Sequence, residues 1–337
     1  MKYIICKEPG KLELKEKSPP VKGEGEALVK IKKVGICGTD LHAYAGKQSY
    51  FTYPRILGHE LAGEILEISS NKQNMIAGDK VLISPYISCG NCIACANGKT
   101  NCCVSLELLG IHVDGGMQEL IKVPIQLLYP ANNLSFNEIA IIEPLAIGAH
   151  AIRRSKIKLD DVVVVTGCGP IGIGIIKFAQ ISGATVIAMD INQKRLNYVK
   201  KVLNVDFIVN ATQNPIKDIE NITQGNMASI VFDATGHKGS MEMGPTYMAH
   251  GGKLVLVGHT KGQLAFQNPY IHAKEITLLS SRNATTEDLK YVMKILSKGM
   301  FPTESYITHN VDFKEMISNF VGWLDPNNNV IKATVDF

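Results

Sequence analysis

From residue 161 onward the chain repeats one pattern: a short apolar run, a turn, then a stretch with helical periodicity. The apolar runs fall at 162–166, 185–189, 207–210, 229–233, 253–257 and 276–280, and helical stretches at 171–182, 193–203 and 238–250 lie between them. A strand covered on both faces reads as a continuous Val/Ile/Leu run, and strands that alternate with helices are joined by crossovers. The pattern predicts an α/β fold with a doubly wound, parallel, six-stranded sheet. The first 130 residues have a different texture. Short β runs at 27–34, 64–68 and 80–83 are broken by Gly, Pro and Asp turns such as Ala77-Gly78-Asp79. Beyond Ser281 come amphipathic stretches at 287–296 and 312–321 and a strand-like segment at 330–335, expected to return to the first domain. A chain of 337 residues exceeds what one hydrophobic core usually holds. We expect a β-rich domain over 1–148, the parallel-sheet domain over 149–281, and a returning segment over 282–337.

The turn after the first of these strands reads Gly167-Cys168-Gly169-Pro170-Ile171-Gly172. G-x-G-x-x-G carries weight only between a strand and the helix it opens, and here it stands in that place. Its glycines permit a tight turn and let backbone N–H groups approach a pyrophosphate at the positive end of the helix. Asp190 ends the next strand, twenty-three residues after Gly167. A carboxylate there binds the hydroxyls of an adenosine ribose and repels a 2′-phosphate, so NAD is favoured over NADP. The plainer reading of Asp190 is a surface residue after a glycine turn. Arg195 is open to three readings: lying over the adenine, pairing with Asp190, or solvated on its helix.

Four thiols, Cys89, Cys92, Cys95 and Cys103, fall within fifteen positions. Zinc takes four ligands tetrahedrally at about 2.3 Å per Zn–S bond, and a closed four-cysteine set with short spacers supplies them. Eight cysteines in 337 residues is not a disulfide density, and no apolar leader with a cleavage site opens the chain. Reduced thiols holding metal in a cytoplasmic setting are therefore expected, in a lobe over about 86–105. Free buried cysteine is the alternative, and Cys102 is read as a spare thiol beside Cys103. A dispersed set accompanies the lobe: Cys37-Gly38-Thr39-Asp40-Leu41-His42, Gly58-His59-Glu60 and Glu143-Pro144. One Cys, one His and one carboxylate with a fourth position open make a catalytic zinc site. Such a site polarises a substrate oxygen and lowers the pKa of a bound hydroxyl. Singly, Cys37 and His59 would pass as core side chains.

The formal charge of +4 is spread along the chain with no basic stripe, and no run reaches the length of a membrane span. No nucleic-acid or membrane partner is expected.

On these motifs, together with Gly58-His59-Glu60-x-x-Gly63, the chain resembles the zinc-dependent medium-chain alcohol dehydrogenases over nearly its whole length. The resemblance implies a GroES-like catalytic domain, discontinuous in sequence, with a Rossmann domain inserted into it. It further implies two zinc ions per chain, one catalytic and one structural. Cys37 and His59 match the catalytic ligands. Glu60 and Glu143 match acidic positions that either ligate the metal or stand one shell back. Glu143 replaces the second cysteine of the liver-type enzymes, which points to the polyol and threonine dehydrogenase branch. Thr39 and His42 match a relay for the alcohol proton. The cofactor set is then Gly167, Gly169, Pro170, Ile171, Gly172, Asp190, Arg195 and Val257.

The segment Leu109-Gly110-Ile111-His112-Val113-Asp114-Gly115-Gly116 resembles a subgroup similar to the starvation-sensing dehydrogenases and the sugar-acid (L-galactonate or L-gulonate) 5-dehydrogenases. The expected reaction is NAD-dependent oxidation of a secondary alcohol of a polyol or aldonate. L-Threonine 3-dehydrogenase and butanediol-type activities are the competing readings, and an inactive zinc-binding regulatory or structural protein is the non-enzymatic one. A substrate with several hydroxyls and a carboxylate calls for convergent donors and a cation. Arg282, His112 and the loop 47–53 are the candidates. Their plainer readings are an ion pair for Arg282, a satisfied loop histidine for His112, and core-capping rings for Tyr50 and Phe51. The family resemblance implies a dimer or tetramer, paired through the strand at 276–280.

Overall fold

The computed structural model describes residues 1–48 and 51–337, so Tyr50 lies outside the described residues. The chain forms two compact units, Met1–Glu143 with Val292–Phe337, and Pro144–Tyr291.

The second unit is built on a six-stranded sheet in the order Phe207–Asn210, Thr185–Asp190, Val162–Thr166, Ala228–Asp233, Met248–Leu256, Thr277–Ser280. Every neighbouring pair is parallel. The order reverses between Val162–Thr166 and Ala228–Asp233, the switch point at which a crevice opens beyond the carboxyl ends of the strands. Val163, Val164 and Val165 are fully buried, which is why this strand reads as an unbroken valine run. The stretch at 238–250 is not one helix. It divides into the helix Lys238–Met243, a 3-10 turn Gly244–Tyr247 and a strand that already begins at Met248. Pro245 lacks the N–H that an α-helix would use, and a Cβ on Gly244 would lie 2.7 Å from Leu254 Cδ1, so the chain turns tightly against the strand it is about to form. A helix at Pro215–Ile222, absent from the sequence reading, covers the sheet with Ile219.

The first unit is built around a seven-stranded sheet whose main path runs Leu128–Pro130, Lys80–Ile83, Glu60–Ile68, Glu26–Ile36, Lys332–Asp336, Ile307–Asp312, with Leu120–Pro124 also paired to Glu26–Ile36. The strand at the chain's end is thus interior to this sheet, antiparallel to Glu26–Ile36 and parallel to Ile307–Asp312. Val29, Ile31, Val34, Leu61, Val81 and Val335 make the centre of its core. The stretch at 312–321 is not a continuous helix. A 3-10 turn Phe313–Glu315, the short helix Met316–Phe320 and a second 3-10 turn Val321–Leu324 bury Phe313, Met316, Phe320 and Trp323 in that core. Among the described residues no helix is long and apolar enough to cross a membrane.

Candidate metal and dinucleotide sites

Cys37 follows the strand Glu26–Ile36 and caps the helix Gly38–Tyr44. Asp40, fully buried in that helix's first turn, accepts the Cys37 amide at 2.9 Å and the Gly58 amide at 3.3 Å. One carboxylate therefore ties the Cys37 loop to the segment that delivers His59 and Glu60. Its Oδ1 also lies 3.6 Å from His59 Nδ1. Glu60 opens the strand Glu60–Ile68 opposite Gly35, where a Cβ would fall 1.9 Å from Glu60 Oε2. Only glycine leaves room for that carboxylate. The outcome is that Cys37, His59 and Glu60 each present a ligand atom within 4.8 Å of the others.

A buried lysine answers this charge. Lys332, on the strand at the chain's end, donates to both Glu60 oxygens at 2.6 and 2.8 Å and to the Ile36 carbonyl at 3.1 Å. Burial alone would push the Lys332 ammonium down, but Glu60 and Cys37 outweigh it and hold its pKa above the usual lysine value. His59 repeats the pattern. Burial disfavours its charged form, yet Asp40, Cys37 and Glu143 raise it well above the ordinary histidine value. Glu143 is buried, and its Oε1 accepts the Tyr86 hydroxyl. Its Oε2 has no hydrogen-bond partner, and neither has His59 Nδ1. Burial, reinforced by Glu60, lifts the Glu143 carboxyl above its usual range. A soft thiol, an imidazole and the Glu60 carboxylate fit a divalent cation such as zinc, while Glu143 stands outside the set whose ligand atoms lie within 4.8 Å of one another.

Cys89, Cys92, Cys95 and Cys103 likewise lie with all four sulfurs within 4.8 Å of one another. Cys103 Sγ is 3.4 Å from Cys89 Sγ, and Cys92 Sγ is 3.5 Å from Cys95 Sγ. A disulfide needs about 2.05 Å, whereas a tetrahedron with bonds of about 2.3 Å has sulfur–sulfur edges of roughly 3.8 Å. The lobe matches the tetrahedron. Amides of Asn91 and Cys92, with the Cys103 thiol, draw Cys89 down to about 6, whereas burial and the Cys92 thiol push Cys95 up to about 11. Cys102 is exposed beside this set.

In the second unit, Gly167 stands at φ 94° at the end of Val162–Thr166, and the helix Pro170–Ile181 begins just beyond it. A Cβ on Gly172 would fall 1.7 Å from the Gly167 carbonyl oxygen, so turn and helix close on each other. Asp190 ends the neighbouring strand, buried, and accepts the Cys168 amide at 2.7 Å and the Asn192 amide at 2.8 Å. Arg195 sets a guanidinium nitrogen 3.8 Å from where a Cβ on Gly169 would stand, beside the turn. Ile171 lies in the first turn of the helix, and Val257 follows the strand Met248–Leu256, its amide donating to the Asp233 carbonyl at 2.9 Å.

The remaining sequence candidates are scattered. Thr39 and His42 lie on the helix that follows Cys37, with His42 exposed. His112 is partly buried, and its Nδ1 accepts the Leu108 amide within its own turn, which matches the loop-histidine reading. Phe51 packs edge-on against Tyr53 and into the core. Arg282 is exposed on the second unit, just past the strand Thr277–Ser280. Asp40, Tyr86 and Lys332 were missed as site residues. Asp40 stood in the quoted Cys-Gly-Thr-Asp motif, but neither Tyr86 nor Lys332 carries a spacing signal.

Residues 23–133 match the family model described as alcohol dehydrogenase GroES-like domain, and residues 170–298 match that described as zinc-binding dehydrogenase. The chain is 38% identical to the L-galactonate-5-dehydrogenase of Escherichia coli K12, over 100% of this chain and 99% of that protein. It is 32% identical to the starvation-sensing protein RspB of the same organism, over 94% and 93% of the two chains. Its fold matches the crystal structure of an RspB alcohol dehydrogenase from E. coli CFT073 complexed with NADH. That match has a TM-score of 0.93 and 30% identity, over 100% of this chain and 99% of the other.

Proposed function

Because the chain belongs to the zinc-dependent medium-chain alcohol dehydrogenase family, we propose that it oxidises a secondary alcohol of a sugar acid or polyol to a ketone, using NAD. The observation that carries the reading is the donor set of partly buried Cys37 with buried His59 and Glu60. When bound, zinc would supply a Lewis acid that makes the alcohol hydroxyl acidic near neutral pH, and a nicotinamide would supply the acceptor for the hydride of the carbinol carbon.

The chain's own residues prepare that chemistry. Asp40 ties the Cys37 loop to the segment that carries His59. Lys332 offsets the charge of Glu60, and Glu143 keeps one oxygen, Oε2, for a metal or a substrate hydroxyl. Thr39 and His42 carry the released proton outward. In the second unit, the amides after Gly167 receive the pyrophosphate, and Asp190 holds the adenosine ribose and selects NAD over NADP. The four-thiol lobe holds a second, structural zinc.

A sugar acid is favoured over L-threonine by the 38% identity to an L-galactonate-5-dehydrogenase, set against 31% to L-threonine 3-dehydrogenases. Arg282 and His112 are the groups assigned to the substrate. The edge strand Thr277–Ser280, with Leu278 half exposed, supports self-association as a dimer or tetramer. Eight unpaired cysteines support a reducing, cytoplasmic setting.

The test is NADH formation against aldonates, hexitols, L-threonine and vicinal diols. We expect an aldonate to give the highest kcat/KM. A preference for L-threonine or a diol by about tenfold, a difference of roughly 1.4 kcal/mol in transition-state binding, would overturn the substrate assignment.

A further inference from the structure

The four-cysteine lobe and the Cys37 centre are separate donor sets, yet one side chain touches both surroundings. The lobe is a loop closed at its base by a two-stranded ribbon, in which Tyr86–Ile87 enters and Glu107–Leu108 leaves, with Tyr86 opposite Leu108. Above the ribbon the lobe has a small apolar cluster of its own: Cys103, Leu106, Leu108 and Ile111, with Cys92, Cys95 and the Tyr86 ring packed against it. The other end of Tyr86 leaves the lobe, and its hydroxyl donates to Glu143 Oε1. That bond leaves Oε2 buried and unpartnered on a carboxylate that stands outside the 4.8 Å set of Cys37, His59 and Glu60 and interacts electrostatically with His59.

Tyrosine suits this position because it joins a large apolar ring to a single polar tip. The ring takes its place from the cluster around the lobe's sulfurs, and the tip fixes a carboxylate. Partners standing one bond behind a metal's donors set the orientation of those donors, and losing one typically costs 10–100-fold in metal affinity. Glu60 has a separate anchor in Lys332. Of the two carboxylates, only Glu143 is held from the lobe.

We propose that Tyr86 is a positioning residue that couples the two sites: a metal-loaded lobe seats the Tyr86 ring, and the Tyr86 hydroxyl thereby orients Glu143 at the Cys37 centre. The inference rests on the reading that both donor sets hold zinc. It assigns the lobe a role in the chemistry rather than in local stiffness alone.

The experiment uses the full chain loaded with zinc. Tyr86→Phe keeps the ring and its packing and removes only the hydroxyl. Zinc release to a chromophoric chelator is followed in wild type, in Tyr86→Phe, in Glu143→Gln and in the double variant, with total zinc measured by elemental analysis. A second arm replaces the metal of the Cys37 centre by cobalt and records its d–d absorption, which reports ligand geometry without turnover. Tyr86→Phe should keep the lobe metal, loosen the other by about 10–100-fold, and shift the cobalt bands. In the Glu143→Gln background it should add nothing, the non-additivity expected of two residues in one network. A third arm, Cys95→Ser, should shift the cobalt bands in the wild-type background but not in the Tyr86→Phe background.

Unchanged release and unchanged bands in Tyr86→Phe would overturn the coupling, even if Cys95→Ser failed to fold. Additive effects of Tyr86→Phe and Glu143→Gln would overturn it too. A wild-type chain that binds metal only at the lobe would instead refute the underlying two-zinc reading.

Discussion

Gly172 approaches Gly167 so closely that a Cβ on it would meet the Gly167 carbonyl oxygen at 1.7 Å, while one on Gly169 would find nothing nearer than 3.8 Å. The two glycines therefore answer different requirements, Gly172 the packing of the turn and Gly169 the open space above it. Overpacking a tight site typically costs about 1–3 kcal/mol. Gly172→Ala should lower the melting temperature of the cofactor-free protein, and Gly169→Ala should leave it nearly unchanged. A larger loss for Gly169→Ala in thermal denaturation would contradict this division.

Removing Lys332 would strand the Glu60 carboxylate in the core. Breaking a buried pair from one side costs about 3–5 kcal/mol, while removing both partners costs much less. Lys332→Met should show the full loss in urea unfolding of metal-free protein, and Lys332→Met with Glu60→Gln should recover a large part. The sign with pH follows from a raised folded pKa. The contribution stands in full below the unfolded lysine value of about 10.4 and fades as pH rises through the higher folded value. Equal losses in the single and double variants would remove the pair from the account.

Asp288 ties two stretches within the second unit, around His150 and Thr285. It accepts His150 Nδ1 at 2.8 Å, Arg153 Nε at 2.7 Å, and the amide and hydroxyl of Thr285, each at 2.8 Å. Burial opposes its charge, but His150 and Arg153 overcome that and hold its carboxyl well below the usual aspartate range. A depressed folded pKa stabilises above the unfolded value of about 3.9 and is lost as pH falls toward the folded one. Asp288→Asn should cost about 3 kcal/mol at neutral pH, and the gap from wild type should narrow below about pH 4. A gap that stays constant down to pH 2 would rule out this origin.

Metal content separates the two donor sets. Elemental analysis should return about two zinc per chain. Cys37→Ser should retain about one, stay folded and lose NAD reduction. Full activity with a single persistent zinc would refute the assignment of the Cys37 set.

The proposed preference for NAD is expected to turn on Asp190. Asp190→Ser removes the charge that repels a 2′-phosphate, and the NAD/NADP ratio of kcat/KM should fall by about tenfold or more, equivalent to roughly 1.4 kcal/mol. The same change frees the Cys168 and Asn192 amides, so binding of NADH should weaken as well. An unchanged ratio would mean that Asp190 serves only the turn.

Much of the second unit was legible because its strands are continuous apolar runs and its turn is a motif with a fixed place between strand and helix. Five of the six strands begin within a residue of their expected positions. The sixth, Met248–Leu256, was read five residues late because Met248 and Ala249 prolong the helical periodicity of 238–250, whereas pairing with Ala228 draws them into the sheet. The cysteines of both donor sets were legible as residues, and the lobe also by spacing. Lys332 was not, because nothing near position 332 marks it. It meets Glu60, 272 positions away, only through the pairing of Lys332–Asp336 with Glu26–Ile36. Tyr86 escaped for the same reason: its partner Glu143 is distant in sequence, and one tyrosine before a cysteine lobe has no pattern.

The interior place of Lys332–Asp336 also bears on the order in which the chain can acquire its structure during synthesis. The second unit is contiguous, so it has every strand once residue 291 has emerged. The first unit begins earlier and finishes later. Until residue 332 leaves the ribosome, its sheet has a gap between Glu26–Ile36 and Ile307–Asp312, and Glu60 has no ammonium to meet. A nascent chain stopped just short of that point would carry a complete dinucleotide fold beside an unfinished metal-binding one. The unfinished sheet would expose both flanking strand edges to other chains and to chaperones.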